Sequence, residues 1–162
     1  MSYFRPLPLF ALFCITFVGI AYIRPLFATN VDELLQQAQP PEGVVFEIAS
    51  GDGNKLRQII PVAQMHIRQL RARFPTLDIA IVTHGREQFS LTNDNKEKFK
   101  ALHNNIKSLV KDSNVPVHVC ETYANRKNVD ASAFPEYVDV AAAGPAQIND
   151  YLKLGYVLIK LN

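Results

Sequence analysis

The sequence predicts an α/β domain of three layers, in which helices cover both faces of a five-stranded, mainly parallel sheet. Two observations predict this class. Short runs rich in valine and isoleucine alternate with longer segments whose apolar residues recur every three or four positions. The short runs are apolar at almost every residue, which is typical of strands buried on both faces of a parallel sheet. Right-handed crossovers between successive strands then follow.

The predicted strands are short, β-branched and bounded by glycine, proline or polar residues. In chain order they cover residues 44–49, 77–83, 115–120, 137–141 and 156–160. Pro116 lies near the start of the third strand, where a missing N–H is tolerated.

Between the strands, the apolar residues follow the helical spacing. The predicted helices cover residues 59–74, 93–111 and 144–154, and a short helix or turn covers 129–134. The first apolar stripe already begins at Leu56, but Pro61 sits inside it. We therefore expect the regular helix to begin close to Ile59, with Pro61 in its first turn, where proline is tolerated.

Length and composition limit the kinds of protein this can be. The 162 residues fit one domain. A hydrophobic fraction of 48% and a charged fraction of 20% exclude disorder as the main state. The net charge of +2 gives no broadly basic surface, so nucleic acid is not expected as a partner. Two cysteines cannot form a disulfide scaffold.

Residues 1–28 differ in character from the rest of the chain. They carry two basic residues and no acid, and residues 7–23 are almost all apolar. This pattern is typical of a secretory signal, and the run also reaches the lower limit for a membrane-spanning helix. Two alternatives stay open. One is cleavage after Ala28, although Leu26 stands at the −3 position, where a signal peptidase site has a small residue. The other is an uncleaved anchor in the inner membrane. A buried N-terminal helix is disfavoured because it would need cover on every side.

In either case we expect residues 29–162 to lie in the periplasm, soluble after cleavage or anchored to the inner membrane. Residues 29–42 are polar and end in two prolines, which we interpret as a linker with one or two turns of helix. Residues 43–162 are the predicted domain. Its only cysteine is Cys120, so no intramolecular disulfide can form there.

The chemistry of open parallel sheets gathers where the strands end. The residues at these ends are Ser50–Gly53, His84–Arg86, Cys120–Thr122 and Ala143–Gly144. Cys120 ends an apolar strand and precedes a polar loop, where a thiol can be partly exposed and reactive. The alternative is a small packed side chain, as most free cysteines are. His84 would pair with Cys120 if their strands are neighbours; the alternative is a histidine that bonds a loop carbonyl.

Several kinds of site are disfavoured by spacing. The turn at Ser50 and Gly51 lies where a phosphate would bind, but it lacks the glycine spacing and the lysine of nucleotide-binding loops, so no nucleotide cofactor is expected. We interpret it as a tight turn whose backbone amides face the crevice. No set of histidines and cysteines has metal-ligand spacing, so no metal is expected. The GxSxG motif of serine hydrolases is missing.

Taken in order, these pieces resemble the DsrE/DsrF-like sulfur-relay family over residues 43–162. The segments that carry the resemblance are residues 44–48, 80–85, 115–123, 138–144 and 148–156. The resemblance implies a compact α/β/α domain, assembly into homo-oligomers, and in some members a persulfide on the strand-end cysteine, the position of Cys120. The export segment departs from the cytoplasmic members, which argues against their cytoplasmic roles.

We therefore expect Cys120 and His84 to be catalytic. Ser50, Gly51, Gly85 and Thr122 are expected to contact the substrate.

Two functions stay open at this point. The first is an exported sulfur carrier or sulfurtransferase-like protein, whose partners are sulfur donor and acceptor proteins or small sulfane compounds. The second is a non-catalytic, oligomeric module that binds a small ligand or partner, in which Cys120 is only packed. A thiol-disulfide redox protein is disfavoured because the chain has no CxxC.

Overall fold

A computed structural model describes residues 30–162. The signal or anchor predicted for residues 1–28 lies outside the described residues. The strands are β1 (Gly43–Ile48), β2 (Asp78–Thr83), β3 (Val117–Cys120), β4 (Asp139–Ala141) and β5 (Tyr156–Leu161). The α-helices are α1 (Val31–Leu35), α2 (Lys55–Arg73), α3 (Lys100–Lys111), α4 (Glu121–Asn125) and α5 (Gly144–Lys153). Three short 3-10 helices cover Arg86–Leu91, Asn93–Asn95 and Ala131–Ala133.

The strands form one sheet in the order β4-β3-β2-β1-β5, and every pair is parallel. The predicted fold class is therefore confirmed. The chain steps in one direction from β1 to β4 and then returns to place β5 on the far side of β1. With right-handed crossovers, this reversal puts α2 and α3 on one face of the sheet and α5 on the other.

The two faces of the sheet bury unequal cores. On the face of α2 and α3, the large core includes Phe46, Ile60 and Ile106. On the opposite face, Ile148 of α5 packs on a small core of strand residues, Val45 among them. A single helix cannot cover a five-stranded sheet, so the second face keeps room for polar side chains.

The predicted start of the first long helix was wrong. Helix α2 begins at Lys55, about one turn earlier than expected, and Pro61 lies in its interior. Leu56 is fully buried, so the first turn is held by core packing. Pro61 is exposed, and Arg57, whose carbonyl loses its usual helical partner, is exposed as well. Water can therefore satisfy the group that proline leaves unpaired.

The next helix also begins later than predicted, at Lys100 instead of residue 93. The residues before it form 3-10 turns because polar side chains bond the local backbone. The Thr92 hydroxyl donates to the Phe89 carbonyl at 3.0 Å, and the Asn95 amide donates to the same oxygen at 2.9 Å. Helix α4, directly after β3, was not predicted.

The linker segment contains one turn of helix, α1, as its sequence predicted. The Asn30 side chain caps it by accepting the Glu33 N–H at 2.8 Å. Val31 and Leu34 are buried in the large core, so this part of the segment packs on the domain. Within residues 30–162, no helix is both long enough and apolar enough to cross a bilayer.

Candidate functional site

The strand order brings Cys120 and His84 to neighbouring strand ends. β2 and β3 are adjacent, with Val82 paired to His118 and Thr83 paired to Val119. One residue further along, His84 follows β2 and Cys120 ends β3. By alternation, both side chains belong to the sheet face that α5 covers. Among the described residues, no hydrogen bond joins the two.

Cys120 is more enclosed than its position in the sequence suggested. The residue is only 4% exposed. Its sulfur faces the start of α4, where it accepts the N–H of Tyr123 at 3.4 Å and so caps that helix. The thiol therefore sits under the turn that follows its own strand, beside a backbone donor.

The backbone of Cys120 is held by a side chain that sequence reasoning missed. Gln88 is fully buried in the 3-10 helix after β2. Its Oε1 accepts the Cys120 N–H at 2.8 Å, and its Nε2 donates to the Cys120 carbonyl at 3.2 Å. One planar amide therefore satisfies both main-chain groups of the cysteine.

Glu87, the residue before Gln88, was also missed by sequence reasoning, and it joins the ends of β1 and β2. The buried carboxylate accepts the N–H of Ser50 at 2.7 Å and the N–H of Gly85 at 2.8 Å. It also accepts the Thr83 hydroxyl at 2.6 Å. Hydrogen bonds to a charged acceptor are the strong ones in proteins, so this group fixes two strand ends against each other.

His84 is anchored toward β1. Its Nε2 lies 2.8 Å from Oε1 of Glu47, a largely buried carboxylate. The other oxygen of Glu47 lies 3.3 Å from Nζ of Lys160, close enough for an ion pair but without hydrogen-bond geometry. A carboxylate only accepts, so Nε2 carries the hydrogen in this contact and donates to Glu47. Gly144, at the start of α5, packs so closely on His84 that a Cβ there would overlap it.

The residues predicted to contact the substrate differ in their exposure and in the hydrogen bonds they already make. The Ser50 N–H is taken by the buried carboxylate, and its hydroxyl accepts the N–H of Asp52 at 3.1 Å. Gly51 is exposed, with no heavy atom near the position of a Cβ. Gly85 is pressed against the Ser50 backbone. Of these three residues, Gly51 is exposed, whereas Ser50 and Gly85 are half-buried.

Thr122 is exposed, but it is already bonded to the end of β4. Its N–H and its hydroxyl both donate to the Ala142 carbonyl, at 3.1 Å and 2.6 Å. These bonds hold the turn after Cys120 from the β4 side.

A second histidine lies beside the site on the same face. The Nε2 of His118 is 2.8 Å from the Tyr151 hydroxyl, and its Nδ1 is 3.8 Å from an oxygen of Asp139. Burial lowers the pKa of His118, and Asp139 opposes part of that effect. Burial, aided by Tyr156 and Asp139, raises the pKa of Tyr151 to about 12. Both groups are therefore neutral at pH 7.

The three residues that sequence reasoning missed differ in how they could have been found. Glu47 is a lone charge inside the apolar first strand, which is a recognisable signal in the sequence. Glu87 and Gln88 lie in a polar stretch with no periodicity, so only the fold reveals that they are buried. In residues 30–162, no three histidine, cysteine or acidic side chains converge as metal ligands would.

Comparison with known proteins identifies the kind of domain. The chain matches the DsrE/DsrF-like family over residues 53–161, which confirms the family resemblance for most of the predicted domain. No curated protein matched it.

Solved structures share its fold at low sequence identity. One is a protein of unknown function from Methanobacterium thermoautotrophicum, 19% identical, with a TM-score of 0.57; the match covers 73% of this chain and 97% of that one. Another is the ychN protein from E. coli, 15% identical, with a TM-score of 0.52 and coverage of 74% and 99%. A third, of unknown function from Bacteroides thetaiotaomicron, is 16% identical, with a TM-score of 0.51 and coverage of 72% and 94%. At these identities the likeness concerns the fold alone.

Proposed function

The chain belongs to the DsrE/DsrF-like family, and on that premise we propose that it is an exported sulfur carrier or sulfurtransferase-like protein that holds sulfur as a persulfide on Cys120. The observation that carries the proposal is the placement of this thiol. It ends β3 inside the matched region, next to the end of β2, with its sulfur facing a backbone N–H.

The proposed reaction has two transfers and needs no external oxidant. The Cys120 thiolate attacks the outer sulfur of a sulfane donor such as thiosulfate; the S–S bond of the donor breaks, and sulfite leaves with the electron pair. The product is a persulfide anion on Cys120. An acceptor thiolate then attacks the outer sulfur, takes it as its own persulfide, and releases the Cys120 thiolate.

Two features support this chemistry at Cys120. The Tyr123 N–H, 3.4 Å from the sulfur, stabilises negative charge on the thiolate. His84 at the neighbouring strand end supplies a base, and Glu47 determines which ring nitrogen carries the hydrogen. Gly51 and the turn after Cys120 lie at the same edge of the sheet, where a small anionic donor would enter.

We further propose that the domain works in the periplasm as a homo-oligomer, with sulfur donor and acceptor proteins or small sulfane compounds as its partners. The support for export is the apolar run of residues 7–23 with its basic flanks and no acid. Fractionation of cells, together with the mass of the mature N-terminus, distinguishes a cleaved signal from an anchor. Light scattering of the purified protein gives the oligomer size.

The direct test is intact-mass spectrometry of the protein, purified without reductant, before and after addition of thiosulfate or polysulfide. We expect mass added in whole sulfur atoms and removed again by reductant. Cys120→Ser should lose all of it, whereas Cys14→Ser, the same change at the only other cysteine, should load like the parent. Loading that survives Cys120→Ser would refute the mechanism.

One observation favours the second function, a non-catalytic module that binds a small ligand or partner. Cys120 is almost fully buried, as a merely packed cysteine would be. The rate of alkylation by iodoacetamide in the folded protein separates the two. Reaction within minutes supports the carrier, while a thiol that reacts only after unfolding supports the binding module.

A further inference from the structure

We propose that Gln88 is a positioning residue that determines where the sulfur of Cys120 lies during sulfur transfer. The inference rests on the proposed sulfur chemistry of Cys120. It assigns a role to a side chain that touches no reacting atom and acts only through the backbone of the cysteine.

The need for Gln88 arises from the way β2 ends. The pairing of β2 with β3 stops at Thr83 and Val119. The ladder does not continue, because the Gly85 N–H, which would be the next in register to donate to the Cys120 carbonyl, bonds the Glu87 carboxylate at 2.8 Å instead. The carbonyl of Cys120, a residue only 4% exposed, is thereby left without a strand donor on its β2 side. Buried main-chain groups without partners are costly, and the Gln88 amide takes the place of the missing strand residue.

The amide holds Cys120 at two points. Its acceptor and its donor engage the N–H and the carbonyl of the same residue, at 2.8 Å and 3.2 Å. This fixes the peptide planes on both sides of the Cys120 Cα, at φ −97° and ψ 109°. The direction of the Cα–Cβ bond follows from those two planes, so the sulfur is confined to the few positions that χ1 allows.

The same conformation places the sulfur on the Tyr123 N–H. Cys120 is the N-cap of α4, and an N-cap side chain reaches its donor only from an extended backbone such as this one. From the opposite side, Thr122 bonds the Ala142 carbonyl of the β4 end. The cysteine is therefore held between β2 and β4, and Gln88 is the side chain that holds it on the β2 side.

Only glutamine among side chains of this size carries both functions. Glutamate would accept the Cys120 N–H but could not donate to the carbonyl, and it would place a negative charge beside the thiolate. Methionine fills a similar volume and makes neither bond. Gln88→Glu therefore tests the loss of the donor with the acceptor kept, and Gln88→Met tests the loss of both.

The test measures two properties of the full-length chain, the amide hydrogen exchange of Cys120 and Tyr123 and the rate of sulfur loading from thiosulfate. In Gln88→Met we expect both amides to exchange at least about tenfold faster, because the Cys120 N–H loses the Gln88 acceptor and the Tyr123 N–H loses a sulfur held in place. Loading should slow by about 100-fold, the effect expected when a reacting group is misplaced by about 1 Å. Gln88→Glu should keep the Cys120 amide protected and load more slowly than the parent.

Arg71→Met is the matched control. Arg71 also bonds two carbonyls, those of Leu77 and Ser113, but at the opposite edge of the β2–β3 pair. Arg71→Met should be less stable than the parent, but the amide exchange of Cys120 and the rate of sulfur loading should not change. If Gln88→Met exposes the Cys120 amide while Tyr123 and loading stay as in the parent, Gln88 is only structural and the inference is overturned.

The two proposals fail in different ways. A parent protein that takes up no sulfur refutes the sulfur chemistry, and the exchange of the Tyr123 amide still decides whether Gln88 places the sulfur. If Gln88→Met does not fold, Gln88→Glu decides, because loading equal to the parent in that variant contradicts the inference.

Discussion

Replacing Glu87 with glutamine should destabilise the domain strongly, although the two side chains have the same shape. The carboxylate accepts three donors, the Ser50 and Gly85 N–H groups and the Thr83 hydroxyl. It is fully buried, so water cannot replace any of them. An amide has a single acceptor oxygen, and its NH2 group must face one of the three donors.

The expected loss follows from that mismatch. One oxygen already serves both Thr83 and Gly85 in the parent, so the amide oxygen can keep those two bonds and the NH2 group then faces the Ser50 N–H. A hydrogen bond to a charged group contributes about 1.5–3 kcal/mol, and an unsatisfied buried donor costs about 1–3 kcal/mol. We therefore expect Glu87→Gln to lower the free energy of unfolding by about 2–3 kcal/mol. Glu87→Leu leaves all three donors unpaired and should cost about 3 kcal/mol or more.

Equilibrium unfolding in urea, followed by circular dichroism, measures this effect. With a slope near 2 kcal/mol/M, a loss of about 2–3 kcal/mol lowers the midpoint by about 1–1.5 M. Glu97→Gln makes the same chemical change at an exposed carboxylate and should shift the midpoint little. A Glu87→Gln midpoint equal to that of the control would refute the assignment of Glu87 as the group that joins β1 to β2.

Two further predictions use steric fit and pH. Gly85→Ala should lower the melting temperature, because the added Cβ would overlap the Glu87 carboxylate and overpacking costs about 1–3 kcal/mol. Gly51→Ala has open space around the new Cβ and should leave the melting temperature unchanged. Equal melting temperatures for the two variants would contradict the close packing at Gly85. Burial lowers the pKa of His103 and of His118 below 6.5, so the unfolded chain binds more protons just below that pH. The free energy of unfolding should therefore fall as the pH drops from 7.5 to 5.5. Calorimetry measures this as a lower melting temperature at pH 5.5. A higher melting temperature at pH 5.5 would contradict the prediction.

The positions of the strands were predictable because burial on both faces leaves few residue types to choose from. The runs that form β1 and β2 are almost wholly apolar. Polar turns follow both runs in the sequence, and the strands end there in the structure. Cys120 was placed correctly at the end of β3 for the same reason. The helix starts were less predictable, since Pro61 reads as a start signal while the decisive contact is the burial of Leu56.

The candidate site was predictable only in part. The sequence singled out the strand ends and their cysteine and histidine, but it carried no signal for Glu87 or Gln88, whose environment is polar on both sides along the chain. Their burial comes from the 3-10 helix that folds back over the ends of β2 and β3. Long-range contacts of this kind depend on where other segments lie, which local patterns do not encode.

The sequence alone determined the alternation of strand and helix, the parallel sheet, the single cysteine of the domain and its place at a strand end, because each depends on local residue type and spacing. Only the tertiary structure decided that β2 and β3 are neighbours, that His84 turns to Glu47, and that Cys120 is enclosed and held by Gln88. The physical reason is that strand order and side-chain pairing are fixed by the packing of distant segments. A buried polar group has to find its partner wherever the fold has brought one.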